Sequence, residues 1–269
     1  MTRLALAQII STGDPASNLT LVRDGIADAA EQGAEIVVFP EATQCAFGND
    51  LVAIAEPLDG PWACAVTATA REYGVTAVVG MFTPSETGRL RNTLLITGPN
   101  GVTSYDKIHL FDAFGSRESD TIDAGDTLSP RPLADTTIGF ATCYDIRFPA
   151  LFTAQAHHGA TIIIVCASWR AGPGKADQWE LLARARALDS TSFIIAVGQG
   201  DPRSLGIEPT TRAPTGIGRS LVISPLGTVL RRLGAAPELL LVQLDPAEAT
   251  AARQALPVLA NQRTELLPR

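Results

Sequence analysis

The stretch "IGFATCYDIRFPALFTAQAHHGATIIIVCA", Ile138 to Ala167, holds two apolar runs with a helix-length segment between them. The second run, "TIIIVCA", is almost wholly apolar, which is the pattern of a strand buried on both faces. The first ends at Cys143, and the spacing after it predicts a helix from about Pro149 to His158, before Gly159. Strands of this kind interleaved with helices point to the α/β class.

The same alternation extends in both directions. "RLALAQI" (Arg3 to Ile9) reads as a strand, and Leu19, Val22, Ile26, Ala29 and Ala30 then recur at helical spacing up to Gly33, ahead of the β-branched run Ile36 to Phe39. A helix from about Ala63 to Tyr73 leads into "TAVVGMF", and "NTLLITGPNGVTSYDK" has the alternation and the Pro-Asn-Gly turn of a hairpin. After Ala167 come a helix from Asp177 to Asp189, the strand "SFIIAVG", a hairpin around Pro225-Leu226-Gly227 and the strand "ELLLVQL". Residues 245–269 read as a C-terminal helix and tail, with Pro257 limiting the helix. No repeat, low-complexity tract or long linker interrupts the order, so 1–269 reads as one domain with a two-sheet core covered by helices. Only Ile108 to Pro132 lacks a clear period, and a loop of that length in a compact domain is usually functional.

Composition narrows the function classes. The chain has 269 residues, 46% hydrophobic and 18% charged, enough apolar material for a continuous core. A formal net charge of −7 and a pI near 5.0, with no Lys/Arg cluster, lack the electrostatic footprint of a nucleic-acid or anionic-membrane binder. No apolar run reaches the roughly 18 residues of a membrane span, and "MTRLALAQIISTGDPASN" has no signal-peptide pattern, so a cytoplasmic protein acting on a small molecule is expected. Cys45, Cys64, Cys143 and Cys166 form no C-x-x-C pair, and with three histidines no metal cage and no cofactor are expected. In a reducing compartment these are free thiols.

An unpaired cysteine is ordinarily a small buried hydrophobe. Cys143 differs in its position where a strand meets a helix start, the geometry of a nucleophile elbow, in which the helix N-terminus favours the thiolate. Its partner would usually be histidine. His157 and His158 fall at a helix end, where a cation suits the dipole, which leaves His109 for a Cys-His dyad. The alternative is a carboxylate base helped by a cation. "VVFPEATQ" puts Glu41 just past an apolar strand, where ligands collect in α/β sheets, and "YDKIHLFD" puts Lys107 at a strand end. Unperturbed pKa values separate Glu from Cys by about four units, roughly 5.7 kcal/mol. Burial of the carboxylate and a lysine beside the thiolate would close that gap, and the same lysine could face an oxyanion.

Taken together, "FPE", "K…HLFD" and "CYDIRFP" resemble the Glu-Lys-Cys pattern of the nitrilase superfamily of carbon-nitrogen hydrolases, in the same chain order. The resemblance extends through "GPGKADQWELLARARALDS" and implies a four-layer α-β-β-α sandwich that usually dimerises. It implies Glu41 as general base, Lys107 as oxyanion-stabilising cation, Cys143 as nucleophile, Glu118 in "SRESD" as the second glutamate, and the Tyr144 N–H as the other oxyanion donor. Asp145 and Arg147 would be a supporting ion pair. The detailed pattern is most similar to the branch of deaminated glutathione amidases and omega-amidases, whose substrates carry carboxylates. Arg170 is then a candidate carboxylate partner, and Trp169 a candidate pocket wall. Many members of that branch carry Gly-His-Ser where this chain has Gly218-Arg219-Ser220.

The expectation is therefore an amidase, homodimeric or of higher order, that hydrolyses a small carboxylate-bearing primary amide through a Cys143 thioester, with deaminated glutathione first and a metabolite-repair role. Omega-amides of keto acids, N-carbamoyl compounds and nitriles are the alternative substrates. Two readings come from other classes: a non-catalytic ligand-binding protein, and a redox sensor in which Cys45 or Cys166 resolves Cys143. A phosphate loop at "GPGKA" fails, because Trp169 stands at the first Gly position and Ala176 replaces the required hydroxyl.

Overall fold

In the computed structural model, which describes residues 1–210 and 213–263, twelve strands form two six-stranded sheets. The first contains β1 (Thr2–Gln8), β2 (Ile36–Val38), β3 (Thr76–Pro84), β4 (Leu90–Gly98) and β5 (Gly101–Asp106). Strands β6 (Asp112–Ala113) and β7 (Ser116–Arg117) make a small separate hairpin. The second sheet contains β8 (Arg131–Leu133), β9 (Thr136–Thr142), β10 (Ile162–Ala167), β11 (Phe193–Gly198), β12 (Leu221–Ile223) and β13 (Val229–Arg232). The last strand, β14 (Glu238–Leu244), returns to pair antiparallel with β1, so the orders are β14-β1-β2-β3-β4-β5 and β13-β12-β11-β10-β9-β8.

Period-two alternation decides the layers. Leu4, Leu6, Ile36, Val38, Leu94 and Ile96 of the first sheet pack against Ile138, Phe140, Ile162, Ile164, Phe193 and Ile195 of the second. Their neighbours in sequence face outward. Ala5, Ala7, Val37 and Val79 meet α1 (Pro15–Glu31) and α3 (Pro61–Glu72), with the single-turn α2 (Leu51–Ile54) between them in sequence. Ala141, Ile163, Val165 and Ile194 meet α4 (Pro149–His157) and α5 (Lys175–Ser190). Helix, sheet, sheet, helix is the four-layer sandwich expected from the sequence. Every one of these central strands is apolar on both faces because each face is covered.

Element ends carry the differences. Asp14 caps α1 by accepting from the Ala16 and Ser17 amides, and Pro15 supplies the first turn, so the helix begins before the first apolar-periodic residue. Helix α5 likewise starts at Lys175 rather than Asp177. The aperiodic 108–132 segment resolves into the β6–β7 hairpin, a 3-10 turn at Glu118–Asp120 and β8, all too short to leave a period in sequence. The C-terminal helix is α6 (Ala247–Ala255), and the expected tail beyond residue 263 lies outside the described residues.

The chain leaving β2 is pressed onto β3. The Gly80 amide donates to Pro40 O at 3.2 Å, and Gln44 N donates to Gly80 O at 2.9 Å. A Cβ at Gly80 would stand 2.5 Å from Pro40 O and 2.7 Å from Ala42 N, distances at which backbone must move. Gly80→Ala is therefore expected to lower unfolding free energy by about 1–3 kcal/mol and to displace Glu41, with activity falling together with stability; urea unfolding of the variant and its turnover measure both.

Candidate active site

Four strand ends converge on one pocket. Glu41 follows β2, Lys107 follows β5, Cys143 follows β9, and Ser168 follows β10. The cavity is about 300 Å³ and is lined by Glu41, Lys107, Glu118, Cys143, Tyr144, Trp169 and Arg170, so the seven residues given catalytic or substrate-binding roles from the sequence meet there.

Glu41 is wholly buried and fully partnered. Its Oε1 accepts from Lys107 Nζ at 3.1 Å and Asn92 Nδ2 at 2.8 Å, while Oε2 accepts from the Ser168 amide at 2.7 Å. Lys107 Nζ also lies 2.9 Å from Glu118 Oε2, which accepts the Phe111 amide at 2.6 Å. Burial works against the Lys107 ammonium, but the charges of Glu41 and Glu118 outweigh it and hold the lysine pKa above its ordinary range. Lys107 therefore stays cationic, with its Nζ within 3.1 Å of one oxygen of Glu41 and both oxygens of Glu118.

Cys143 sits in the left-handed region at φ +48°, the strained geometry that projects a nucleophile from a turn. Helix α4 begins at Pro149 as the sequence predicts, and between it and the cysteine residues Cys143–Arg147 form a 3-10 turn, because a residue before proline is driven to extended backbone; Phe148 has φ −110° and ψ 94°. The expectation that the local environment favours a thiolate is corrected. Burial pushes the Cys143 thiol well above its usual pKa, and the negative charge of Glu41 adds to this, while the Lys107 ammonium opposes it. The thiol therefore rests neutral. The Tyr144 amide belongs to the first residues of the 3-10 turn, which have no partner within it.

Asp145 does not pair with Arg147. It is fully buried, and its Oδ1 binds the His109 amide at 2.8 Å and His109 Nδ1 at 2.7 Å, while Oδ2 accepts from the Thr142 amide at 2.9 Å and Tyr105 OH at 2.7 Å. This ties the segment carrying Lys107 to the turn carrying Cys143. It also takes up the histidine considered for a dyad, whose ring stacks on Phe148 at 3.6 Å. Arg147 is drawn instead to Gln178 Oε1 at 3.0 Å and to the faces of Tyr144 and Trp169. Cys166 faces the inter-sheet core, whereas Cys143 packs against the outer layer of the second sheet. The Arg219 side chain is exposed, and its backbone, at φ +57°, accepts the Trp179 indole N–H.

Sequence reasoning missed Asn92, which donates to both Glu41 and, at 3.2 Å, Glu118. An isolated amide in an apolar strand was its only signal. It also missed Ser168, which acts through its backbone, and Lys175, which lines the pocket from the start of α5.

A family model described as carbon-nitrogen hydrolase matches residues 3–254. The chain belongs to the carbon-nitrogen hydrolase family. This carbon-nitrogen hydrolase is 50% identical to Hydrolase Rv0480c of Mycobacterium tuberculosis over 266 residues, covering 97% of this chain and 95% of that one. It is 32% identical to the deaminated glutathione amidase of Escherichia coli O157:H7, covering 97% of each chain. Among solved structures, a mutant of the amidase from Nesterenkonia sp. AN1 superposes with a TM-score of 0.82 at 25% identity, covering 98% of this chain and 95% of that one. That structure shows covalent addition of the acetamide moiety of fluoroacetamide at its active-site cysteine. The chain is thus a hydrolase of carbon-nitrogen bonds, and no helix among the described residues is long and apolar enough to cross a membrane.

Because Asp145 is the shared acceptor for four donors, Asp145→Ala should cost about 3–5 kcal/mol of unfolding free energy. Chemical denaturation measures this, and a loss below about 1 kcal/mol would mean that the freed donors find other partners.

Proposed function

We propose that this hydrolase is an amidase acting on a small carboxylate-bearing amide through a thioester at Cys143, with deaminated glutathione as the favoured substrate. One observation carries the reading: the buried Glu41 carboxylate pairs with the Lys107 ammonium at 3.1 Å, and both line one ligand-sized pocket together with the Cys143 thiol. A binding module has no use for two buried carboxylates and a buried ammonium of this kind, which are expensive to hold. The alkylated cysteine of the Nesterenkonia amidase supports the nucleophile assignment, and the Escherichia coli relative supports the substrate.

In this mechanism Glu41 removes the Cys143 proton as Sγ attacks the carbonyl carbon. Lys107 and the Tyr144 N–H hold the resulting oxyanion, and Glu118 with Asn92 keeps Lys107 in place. Collapse breaks the C–N bond, and the protonated Glu41 carboxyl gives its proton to the departing nitrogen. Water then loses a proton to Glu41 and attacks the thioester, which releases the acid and returns the proton to sulfur. A primary amide yields ammonia. Deaminated glutathione holds its acyl group in a secondary amide and yields Cys-Gly, so the expected leaving group widens beyond ammonia. Trp169 and Arg170 line the pocket outside this machinery as substrate contacts. We read residues 1–269 as one such domain, working as a cytoplasmic homodimer on the strength of the family resemblance, with 2-oxoglutaramate-type omega-amides as the alternative substrates.

Acid released from deaminated glutathione, with 2-oxoglutaramate as comparison, tests the substrate. Cys143→Ala and Glu41→Gln are expected to lose at least about 10³-fold in kcat; a Glu41→Gln enzyme with normal acylation kinetics would remove the general-base role. The thiol can be read separately. The ultraviolet thiolate absorbance of the native protein minus that of Cys143→Ala should be absent at the ordinary thiol pKa of about 8.5, since the folded thiol titrates above the unfolded one. A midpoint near neutrality would overturn the neutral-thiol ground state.

A further inference from the structure

The two ends of the pocket differ in charge. At the inner end the Lys107 ammonium lies between Glu41 and Glu118, and the ions are matched. At the outer end Arg147, Arg170 and Lys175 line the wall, and among the described residues none of the three is in an ion pair. Such a cluster runs against the composition of a chain with 28 acidic and 21 basic residues.

Trp169 organises it. The Arg147 guanidinium lies 5.3 Å from the centre of the Trp169 ring and the Lys175 ammonium 6.0 Å from it, so one indole carries two cations. The Trp169 N–H donates to Lys175 O at 2.9 Å, which holds the start of α5 against the loop carrying Arg170. On its other side the Lys175 ammonium lies 5.0 Å from the ring of Phe114, at the tip of the β6–β7 hairpin. Partial burial pulls the Lys175 pKa down, and the like charges of Arg147 and Arg170 pull it further. Aromatic faces and an amide partner for Arg147 offset this repulsion only in part, and an anion between the cations would relieve it.

We propose that Lys175, with Arg170 and Arg147, forms an anion subsite that takes a carboxylate at the end of the substrate remote from the scissile amide, and that Lys175 is the residue that selects for it. The proposal rests on the amidase reading and names its substrate class: amides with a distal carboxylate, preferred over neutral amides of the same shape. Lys175 belongs to the "GPGKA" stretch, whose phosphate-loop reading failed; here the same lysine serves a smaller anion.

Two isosteric amides test this: glutaramate, which ends in a carboxylate, and 5-methylhexanamide, which ends in an isopropyl group. In Lys175→Met the ratio of kcat/KM for glutaramate over 5-methylhexanamide should fall by about tenfold or more, through KM, and Lys175→Arg should recover most of it. A ratio within twofold of wild type overturns the proposal. A binding arm works without turnover. Glutaramate titrated calorimetrically into Cys143→Ala should bind about tenfold or more tighter than into Cys143→Ala/Lys175→Met. If the wild type hydrolyses neither amide, the amidase reading fails for this substrate class, while the titration still decides the subsite: equal affinities, or no binding to Cys143→Ala, overturn it.

Discussion

Glu41 is held in the interior between the Lys107 ammonium, the Asn92 amide and the Ser168 N–H, with Glu118 on the far side of Lys107. Two carboxylates and one ammonium removed from water are tolerated only when each oxygen and each donor finds a partner. Those partners come from β4, from the ends of β2, β5 and β10, and from the loop before β8. Both sheets are therefore needed for one ion cluster. The twelve-strand core acts as the rigid frame that keeps donors from three segments within hydrogen-bond distance of a single carboxylate. Gly80 fits the same logic, since the turn carrying Glu41 lies so close to β3 that no side chain fits beneath it.

Cys143 borders that cluster. A cysteine whose thiol is pushed up by burial and by the nearby Glu41 charge keeps its proton, which makes proton transfer and attack a coupled event in the proposed mechanism rather than the prior formation of a thiolate. Orientation then matters more than acidity. The left-handed conformation of Cys143 and the Asp145 acceptor set supply it, because Asp145 binds the backbone just before the cysteine and the backbone two residues after Lys107. Lys107 and Cys143 follow strands of different sheets, and the segments that carry them are tied together by the Asp145 side chain.

Charge along the pocket separates two tasks. The inner cluster lies at the ends of β2 and β5 and in the loop before β8, whereas the outer cations lie on the 3-10 turn, the loop after β10 and the first turn of α5. Variation in those segments can change the acyl group recognised without disturbing the buried ions. Trp169 links the two, with its indole against the outer cations and its backbone beside Ser168, which holds Glu41.

By itself the sequence determined the layers and the chemistry-bearing residues. Apolar runs such as "TIIIVCA" read as strands buried on both faces, helical spacing marks what covers them, and Glu41 and Cys143 each stand just past such a run. Tertiary structure decided which groups meet. The Asp145–His109 pair, the Asn92 bridge and the Ser168 amide depend on contacts 36, 51 and 127 residues apart, and no local period encodes them. Tertiary structure also set the charge state of the thiol. Whether Cys143 lies nearer in effect to a cation or to a carboxylate, and how much water it keeps, are properties of the packed interior and not of its neighbours in the chain.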